Sequence, residues 1–263
     1  MAKKVAYEER YCAFVDILGF RELVSTLKTG NHQVNLMRDL LSKVHRPAQV
    51  NAGIRYGTNG NFRVQSISDA VAISTAVNQD GLLHMFYVLE HLILTLLTEG
   101  YFTRGAIVKG CLYHDSRMVF GEALVEAYRL ESTIVRFPRI MLTRAVAEDA
   151  RVVKGVLYDK RVRQAEDGPN FLHVLHRLRD TMDSELLREP QVHAEQSKAL
   201  ARYVVMGKQI QQRFNAAVDD PRHFEKVKWF ANYWNNVISP QPIQGLERIK
   251  GAGLDPQPAY WGP

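Results

Sequence analysis

Residues 11–19 read YCAFVDILG, a compact apolar run that is interrupted by one aspartate and closed by a glycine. Such a run is typical of a buried β-strand. An aspartate inside a buried strand is costly to desolvate unless a cation or strong hydrogen-bond donors meet it. Asp16 is therefore either a functional residue or a structural aspartate that is capped or hydrogen-bonded.

The spacing of apolar residues predicts the elements that surround this strand. Alternation predicts two strands over 62–74 that meet at a tight turn, and a 3.6-residue period predicts a helix over 82–100. The remaining patterns predict helices over 20–44 and 122–135, and strands over 103–112, 118–120, 139–143, 156–158 and 171–175. This order predicts an α+β sandwich with a mainly antiparallel sheet and helices on one face.

The organisation changes towards the C-terminus. Residues 1–176 are predicted to form the main domain, and 177–238 a charged helical extension that packs on it. Residues 239–263 carry most of the late proline and glycine, which predicts an extended or disordered tail. An aromatic cluster near Lys226 and Lys228 either stacks on nucleic acid or, as its helical spacing favours, docks the extension on the core; it comprises Trp229, Phe230, Tyr233 and Trp234.

Composition excludes several classes of protein. The chain has 263 residues, 46% of them hydrophobic, which excludes collagen-like and wholly disordered proteins. A net charge of +6 fits nucleic acid, a phosphate-bearing ligand or simply a mildly basic surface. Cys12 and Cys111 lack metal-site spacing and fit a reducing cytoplasm. The most apolar stretch, 82–97, is interrupted by polar residues, so we expect a soluble cytoplasmic protein without a membrane span.

Two further segments carry chemistry-bearing side chains. Asp69 lies at the tip of the predicted hairpin; alone it would be an ordinary turn aspartate, but neighbouring strands bring it to the same end of the sheet as Asp16. Two such carboxylates can hold Mg²⁺ or Mn²⁺ on a phosphate ligand. Gly121 stands where a strand enters a helix, and Arg129 lies two turns later. Its guanidinium either extends into solvent or stabilises charge on a phosphorus centre.

These segments together resemble the catalytic domain of class III nucleotidyl cyclases, over about residues 11–145. Asp16 falls in that family's F-x-D-[IL]-x-G-F strand, and Asp69 in its G-D hairpin tip, with Ser68 in place of glycine. The segment from Gly121 matches the family's G-x-x-V-N-x-A-x-R-L pattern and supplies Arg129 for its arginine. The resemblance implies a ferredoxin-like α+β sandwich of the class III cyclase type.

The resemblance also implies an activity. In the reaction of that family, the ribose 3′-hydroxyl of a nucleoside triphosphate attacks the α-phosphate and expels pyrophosphate. Asp16, Asp69 and the carbonyl of Ile17 would hold two Mg²⁺ or Mn²⁺ ions per site, and Arg129 would stabilise the developing charge. Because the family takes the aspartates and the arginine from different subunits, the resemblance implies a head-to-tail homodimer with shared active sites. Lys160 or Arg161 either reaches the triphosphate or is a solvated surface residue.

The departures from the family pattern concern the base. The two positions that read adenine in adenylate cyclases hold Gln65 and Met118 here, and the asparagine before the arginine is replaced by Val125. A purine is therefore disfavoured, and Gln65, Met118 and Tyr56 are the candidate base pocket. Glutamine suits either uracil or cytosine, and UTP is favoured over CTP. Arg104 either contacts the nucleotide or pairs with a carboxylate.

Several segments resemble in sequence the stand-alone pyrimidine cyclases of bacterial anti-phage Pycsar systems. These segments are 14–20, 104–107, 137–140 and 228–234. That branch implies a cyclic UMP or cyclic CMP signal that activates a downstream effector, with no membrane and no nucleic acid as partner. Two competing hypotheses remain. One is an adenylate or guanylate cyclase, and the other is an inactive nucleotide-binding or nucleic-acid-binding module, which predicts salt-sensitive binding without metal dependence.

Overall fold

The computed structural model of the protein describes residues 6–20, 61–153, 158–180, 190–239 and 245–254, with isolated helical positions between 24 and 42. Most of the predicted 20–44 helical region therefore lies outside the described residues, and so does Tyr56.

An eight-stranded sheet organises the described chain. Its strands are β1 (Glu8–Ile17), β2 (Arg63–Ile67), β3 (Ala70–Ala76), β4 (Thr103–His114), β5 (Val119–Phe120), β6 (Ile140–Leu142), β7 (Val162–Gln164) and β8 (Asn170–Leu172). The order is β2-β3-β1-β4-β6-β8-β7, and β5 pairs with β4 outside this path. Only the β4–β6 pair is parallel among these described strands. The predicted α+β class with a mainly antiparallel sheet is confirmed.

Seven helices flank this sheet within the described residues. They are α1 (Gln79–Thr98), α2 (Glu122–Thr133), α3 (Arg144–Val152), α4 (Tyr158–Arg161), α5 (Arg177–Asp180), α6 (Pro190–Ala216) and α7 (Pro221–Ile238). The strand predicted over 156–158 is wrong at its described end, because Tyr158 begins α4. The strand in this region is β7, which lies four residues later and pairs with β8.

The sheet has two covered faces, because successive side chains of a strand point to opposite sides. Tyr11, Ala13 and Val15 of β1 join the larger hydrophobic core with α1 and the C-terminal helices. Cys12 and Phe14 join a smaller core with α2. The expectation of helices on one face is therefore wrong. Helix α2 covers the face with the smaller core, where it packs on small strand side chains such as Ala72 and Ala106.

Helix α1 is long and apolar enough to cross a membrane by length and composition, the one such helix in the described part of the chain. It has 20 residues and so is longer than the apolar stretch 82–97 on which the sequence expectation was based. Its most apolar window is 61% buried inside the fold, where Leu82, Phe86 and Leu89 are fully buried. Most of this window therefore packs in the core.

The C-terminal helices dock on the core as their aromatic spacing predicted. Phe230, Tyr233 and Trp234 are buried, which leaves their rings unavailable as a nucleic-acid stacking platform. The tail is held as well, over residues 245–254: the side-chain amide of Asn235 donates to the carbonyl of Ile249 at 3.0 Å and its oxygen accepts from the Ile249 amide at 2.7 Å. Residues 245–254 thus lie against α7 without regular secondary structure, which fits the extended alternative for this part of the tail.

Candidate active site

Asp16 lies one residue before the end of β1, opposite Arg104 in the register with β4. Its side chain is 20% exposed, and its Oδ2 lies 3.9 Å from Nε of Arg104. A buried aspartate is costly to desolvate, and the positive charge of Arg104 offsets part of that cost. The structural alternative for Arg104, pairing with a carboxylate, is present in this geometry, and a contact with nucleotide stays a prediction.

Asp69 reaches the same place from the β2–β3 turn. Ser68, immediately before it, has a φ of 58°, in the left-handed region that favours glycine. This explains why the family pattern has glycine at that position. The turn carries Asp69 next to Asp16, within hydrogen-bonding distance of its carboxyl. The sequence therefore paired the two aspartates correctly.

A third carboxylate completes the cluster and was not predicted. Glu131 lies in the last turns of α2 and is 3% exposed, and its Oε1 lies 2.5 Å from Nε of Arg104. A signal for it was present: Ala127, four residues earlier, belongs to the buried face of α2, so Glu131 occupies an apolar position of the helix. An acid at such a position predicts a buried partner.

The cluster has more negative than positive charge at close range. Burial, followed by the negative charges of Glu131 and Asp69, raises the pKa of Asp16 to about 7, and Arg104 opposes this only in part. Burial also raises the pKa of Glu131, while Arg104 lowers it. We name this group of Asp16, Asp69, Glu131 and Arg104 the acidic site.

The acidic site fits a divalent cation shared with phosphate. Its donors are hard carboxylate oxygens, and the crowding of Asp16 against Asp69 is the condition that a bound cation would relieve. Within the described residues, no group of three or more His, Cys, Asp or Glu side chains is arranged to hold a metal ion. Mg²⁺ is often held by one or two carboxylates plus substrate phosphates and water, so two aspartates are sufficient for such a site.

Arg129 is not brought to the acidic site within one chain. Its Nε and Nη2 donate to Glu126 at 2.7 and 2.8 Å, and its side chain is 51% exposed.

Gly121, at the start of α2, has a φ of 140°, and a Cβ there would lie 2.7 Å from the carbonyl oxygen of Cys111. That glycine is required for the close approach of α2 to β4.

The candidate base pocket is only partly described. Gln65 pairs with Ala72, which pairs with Phe14, so Gln65 and Asp16 lie on the same face of the sheet. Met118 lies in the β4–β5 turn with half of its surface exposed, and its backbone amide donates to Asp115. Tyr56 lies outside the described residues. The pocket therefore stays a prediction.

Of the two candidates for a triphosphate-binding cation, Arg161 is excluded. Its side chain is 6% exposed and lies 3.6 Å from Glu90 of α1, in the larger core on the opposite side of the sheet from α2. Both alternatives for Arg161, phosphate contact and surface solvation, are wrong because its guanidinium is buried beside Glu90, away from the acidic site and from solvent. Lys160 is exposed, and a phosphate contact for it stays a prediction.

Solved structures similar to this chain are adenylyl and guanylyl cyclases. A bacterial light-regulated adenylyl cyclase is 21% identical with a TM-score of 0.44, over 56% of this chain and 47% of that one. The monomeric guanylyl cyclase domain of the RhoGC fusion protein from the fungus Blastocladiella emersonii is 13% identical with a TM-score of 0.40, over 63% of this chain and 95% of that one. An adenylate/guanylate cyclase/hydrolase from Silicibacter pomeroyi is 15% identical with a TM-score of 0.39, over 63% and 96%.

The chain spans about half the length of the light-regulated cyclase. No protein-family model matches the chain, and no curated protein sequence matches it.

Proposed function

We propose that this protein is a metal-dependent nucleotide cyclase that converts UTP to 3′,5′-cyclic UMP and pyrophosphate. One observation carries the proposal: Asp16 at the end of β1 and Asp69 in the β2–β3 turn lie side by side in an acidic site with excess negative charge. These are the two positions at which the resemblance to class III nucleotidyl cyclases expects metal ligands.

The reaction asks the protein mainly for positioning, because the attacking 3′-oxygen and the α-phosphorus belong to the same molecule. The 3′-hydroxyl releases its proton to solvent, a new bond forms between its oxygen and the α-phosphorus, the bond from that phosphorus to the bridging oxygen breaks, and pyrophosphate leaves. Two Mn²⁺ or Mg²⁺ ions, when bound, would neutralise the triphosphate and lower the pKa of the 3′-hydroxyl. Asp16, Asp69 and the Ile17 carbonyl would hold them, and Arg104 places a positive charge 3.9 Å from the Asp16 carboxylate.

Arg129 would act from a second copy of the chain. The exposed face of α2 supports this role, since Val125 and Tyr128 are 66% and 55% exposed beside Arg129. Apolar side chains in such a position favour burial against a partner. In a head-to-tail homodimer, Arg129 of one copy would complete the site that Asp16 and Asp69 form in the other.

The choice of a pyrimidine rests on Gln65. Its amide offers one acceptor and two donors, on the same face of the sheet as Asp16, where a lysine would read adenine. An amide suits uracil and cytosine alike, so CTP is the alternative substrate. The similarity to Pycsar cyclases extends the proposal to biology: a cytoplasmic enzyme whose cyclic nucleotide activates an anti-phage effector. The two cysteines, both free, are compatible with a reducing compartment.

The experiment is incubation of the full-length protein with Mn²⁺ and each of ATP, GTP, CTP and UTP, with products separated by chromatography and identified by mass. Asp16→Asn tests the site, and Asp219→Asn, an exposed aspartate in the α6–α7 connection, is the matched control. We expect cyclic UMP from the wild type and from Asp219→Asn, and none from Asp16→Asn.

The other outcomes assign the alternatives. Cyclic CMP would keep the pyrimidine assignment and change the base, whereas a cyclic purine would refute the argument from Gln65. No product from any triphosphate, together with salt-sensitive RNA or DNA binding that is independent of metal, would replace the cyclase by a binding module.

A further inference from the structure

Helix α7, in the C-terminal extension, carries a lysine towards the acidic site. Its first turns contact the loop after α2: Nη2 of Arg136 lies 2.9 Å from Oε2 of Glu225, and the rings of Phe137 and Trp229 stack with centroids 5.7 Å apart. Lys226 lies between these two contacts along the helix. The start of α7 is therefore fixed beside the end of α2.

The next turn of α7 contacts Phe102, the residue before β4. The ring of Phe230, four residues after Lys226, packs against Phe102 with centroids 5.0 Å apart. The carbonyl of Phe102 accepts a hydrogen bond at 2.9 Å from the amide of Leu18, two residues after Asp16. The Phe230 ring packs in the larger core, and Lys226 lies one turn earlier on α7. Both residues are therefore at the end of the sheet where Asp16 pairs with Arg104.

The charge of Lys226 acts on this site and is not neutralised locally. Burial raises the pKa of Glu131, and Lys226 is one of the cations that lower it. Lys226 is half-buried, and it makes no ion pair within 4.0 Å in the part of the chain that the structure describes. By contrast, Arg104 is already paired with Glu131 and lies near Asp16.

A polyphosphate bound through metal ions keeps part of its negative charge, because the carboxylate ligands already neutralise part of the charge of the metal ions. Further cationic side chains are needed to neutralise the remainder. A lysine ammonium is a point charge that binds phosphate oxygens through up to three donors. We infer that Lys226 contacts the polyphosphate of the nucleotide held at Asp16 and Asp69, an inference that rests on the proposed function of this site. The C-terminal extension would then supply part of the substrate site.

Inorganic tripolyphosphate with Mn²⁺ tests this contact without any base and without turnover. Its dissociation constant would be measured calorimetrically for the full-length wild type, Lys226→Met, Lys226→Gln and Lys226→Arg. Lys228→Met is the matched control, because Lys228 is a half-buried lysine of the same helix that lies near Gly253 in the tail. We expect Lys226→Met and Lys226→Gln to weaken binding about tenfold, the loss of one charge-assisted contact. Lys226→Arg should retain binding within about threefold.

The inference is overturned if Lys226→Met binds tripolyphosphate as the wild type does, or if Lys228→Met weakens binding equally. Loss of folding in both neutral variants, monitored by thermal unfolding, would also overturn it, because the charge would then serve the fold. Its failure is distinguishable from that of the proposed function. A wild type that makes no cyclic nucleotide yet loses tripolyphosphate through Lys226→Met refutes only the cyclase, and an active Lys226→Met enzyme with unchanged KM refutes only the contact.

Discussion

The strands β1, β3 and β4 carry a buried polar cluster at each end, and the two clusters differ in how their charges are met. At the start of β1, Arg10 Nε donates to Ser74 Oγ at 3.0 Å, and that hydroxyl lies 2.8 Å from Nδ1 of His114. Arg10 also donates to Glu8 and to the carbonyl of Asn61. All five N–H groups of an arginine need partners, and this cluster supplies several from the fold itself.

At the other end of the same strands lies the acidic site. Asp16 lies six positions after Arg10 on β1, an even number, so both clusters lie on the face that α2 covers. Here three carboxylates, Asp16, Asp69 and Glu131, surround Arg104. At the start of β1 the arginine is met by hydrogen bonds from the fold, although Nε2 of His114 has no partner there. An excess of charge, as at the acidic site, is instead suited to a ligand that supplies the opposite charge.

The largest expected effect is on activity, at the acidic site. Asp16→Asn should lower cyclase turnover at least about a thousandfold, because an amide holds a divalent cation far less well than a carboxylate. Its melting temperature should be equal to or above that of the wild type, since the substitution removes a crowded charge. Initial-rate kinetics and thermal unfolding measure the two effects. A variant that keeps a tenth of the wild-type rate would show that Asp16 is not a metal ligand.

Arg129→Ala tests how the acidic site is completed. Turnover should fall about a hundredfold or more, with little change in KM, because the arginine acts on charge that develops in the transition state. Mixing Arg129→Ala with Asp16→Asn should restore about a quarter of the wild-type rate, since half of the random dimers would contain one intact shared site. Failure of the mixture to recover any activity, with dimers exchanging, would place the arginine and the aspartates in one chain.

Stability is the quantity that should change at the opposite cluster. Ser74→Ala removes the hydroxyl that both Arg10 and His114 contact, and leaves two buried polar groups without that partner. The free energy of unfolding should fall by about 2 kcal/mol, while kcat of the folded enzyme stays within about twofold. Urea unfolding and initial rates measure these effects, and Ser132→Ala on the exposed face of α2 is the control. A large loss of kcat in Ser74→Ala would break the distinction between the clusters.

The two clusters should also give opposite dependences of stability on pH. Burial lowers the pKa of His114 to about 4, so between pH 6.5 and 4 the unfolded chain binds more protons and stability falls as pH falls. Asp16 is the reverse case, because its pKa is raised from 3.8 to about 7. Between these two pH values the folded chain binds more protons than the unfolded chain, so stability falls as pH rises.

Two variants separate these contributions in metal-free buffer. Asp16→Asn should gain stability over the wild type between pH 5 and 8, and His114→Gln should lose less than the wild type between pH 6.5 and 4, each by roughly 1–3 kcal/mol. Urea unfolding across pH 4–8 measures both slopes. Parallel profiles for the wild type and Asp16→Asn would mean that the acidic site is not charge-crowded.

The smallest expected effect concerns the turn that delivers Asp69. Ser68→Gly should stabilise the protein by about 0.5 kcal/mol, because glycine adopts the left-handed φ without the steric cost of a Cβ but loses more chain entropy on folding. Ser66→Gly, in the regular part of β2, should destabilise it instead. Loss of stability in Ser68→Gly would mean that the Ser68 hydroxyl, not the backbone, shapes this turn.

Sequence patterns predicted those parts of the site that depend on local structure. The apolar run around Asp16 and the turn at Asp69 are local features, and strand pairing brings them together with few alternatives. Glu131 was within reach of the same reasoning, as an acid on the buried face of a helix. Arg161 was not, because its partner Glu90 lies on another helix 71 residues earlier in the chain. The approach of Lys226 likewise depends on how α7 packs, which no local pattern encodes.

The central claim is that the charge excess at the end of β1 binds a divalent cation together with phosphate. Electron paramagnetic resonance of Mn²⁺ in the presence of tripolyphosphate measures this directly, in the wild type, in the double variant Asp16→Asn/Asp69→Asn, and in Ser74→Ala at the opposite cluster. We predict that the wild type and Ser74→Ala bind Mn²⁺ alike and that the double variant loses the bound signal. Equal Mn²⁺ binding in all three proteins would contradict the account.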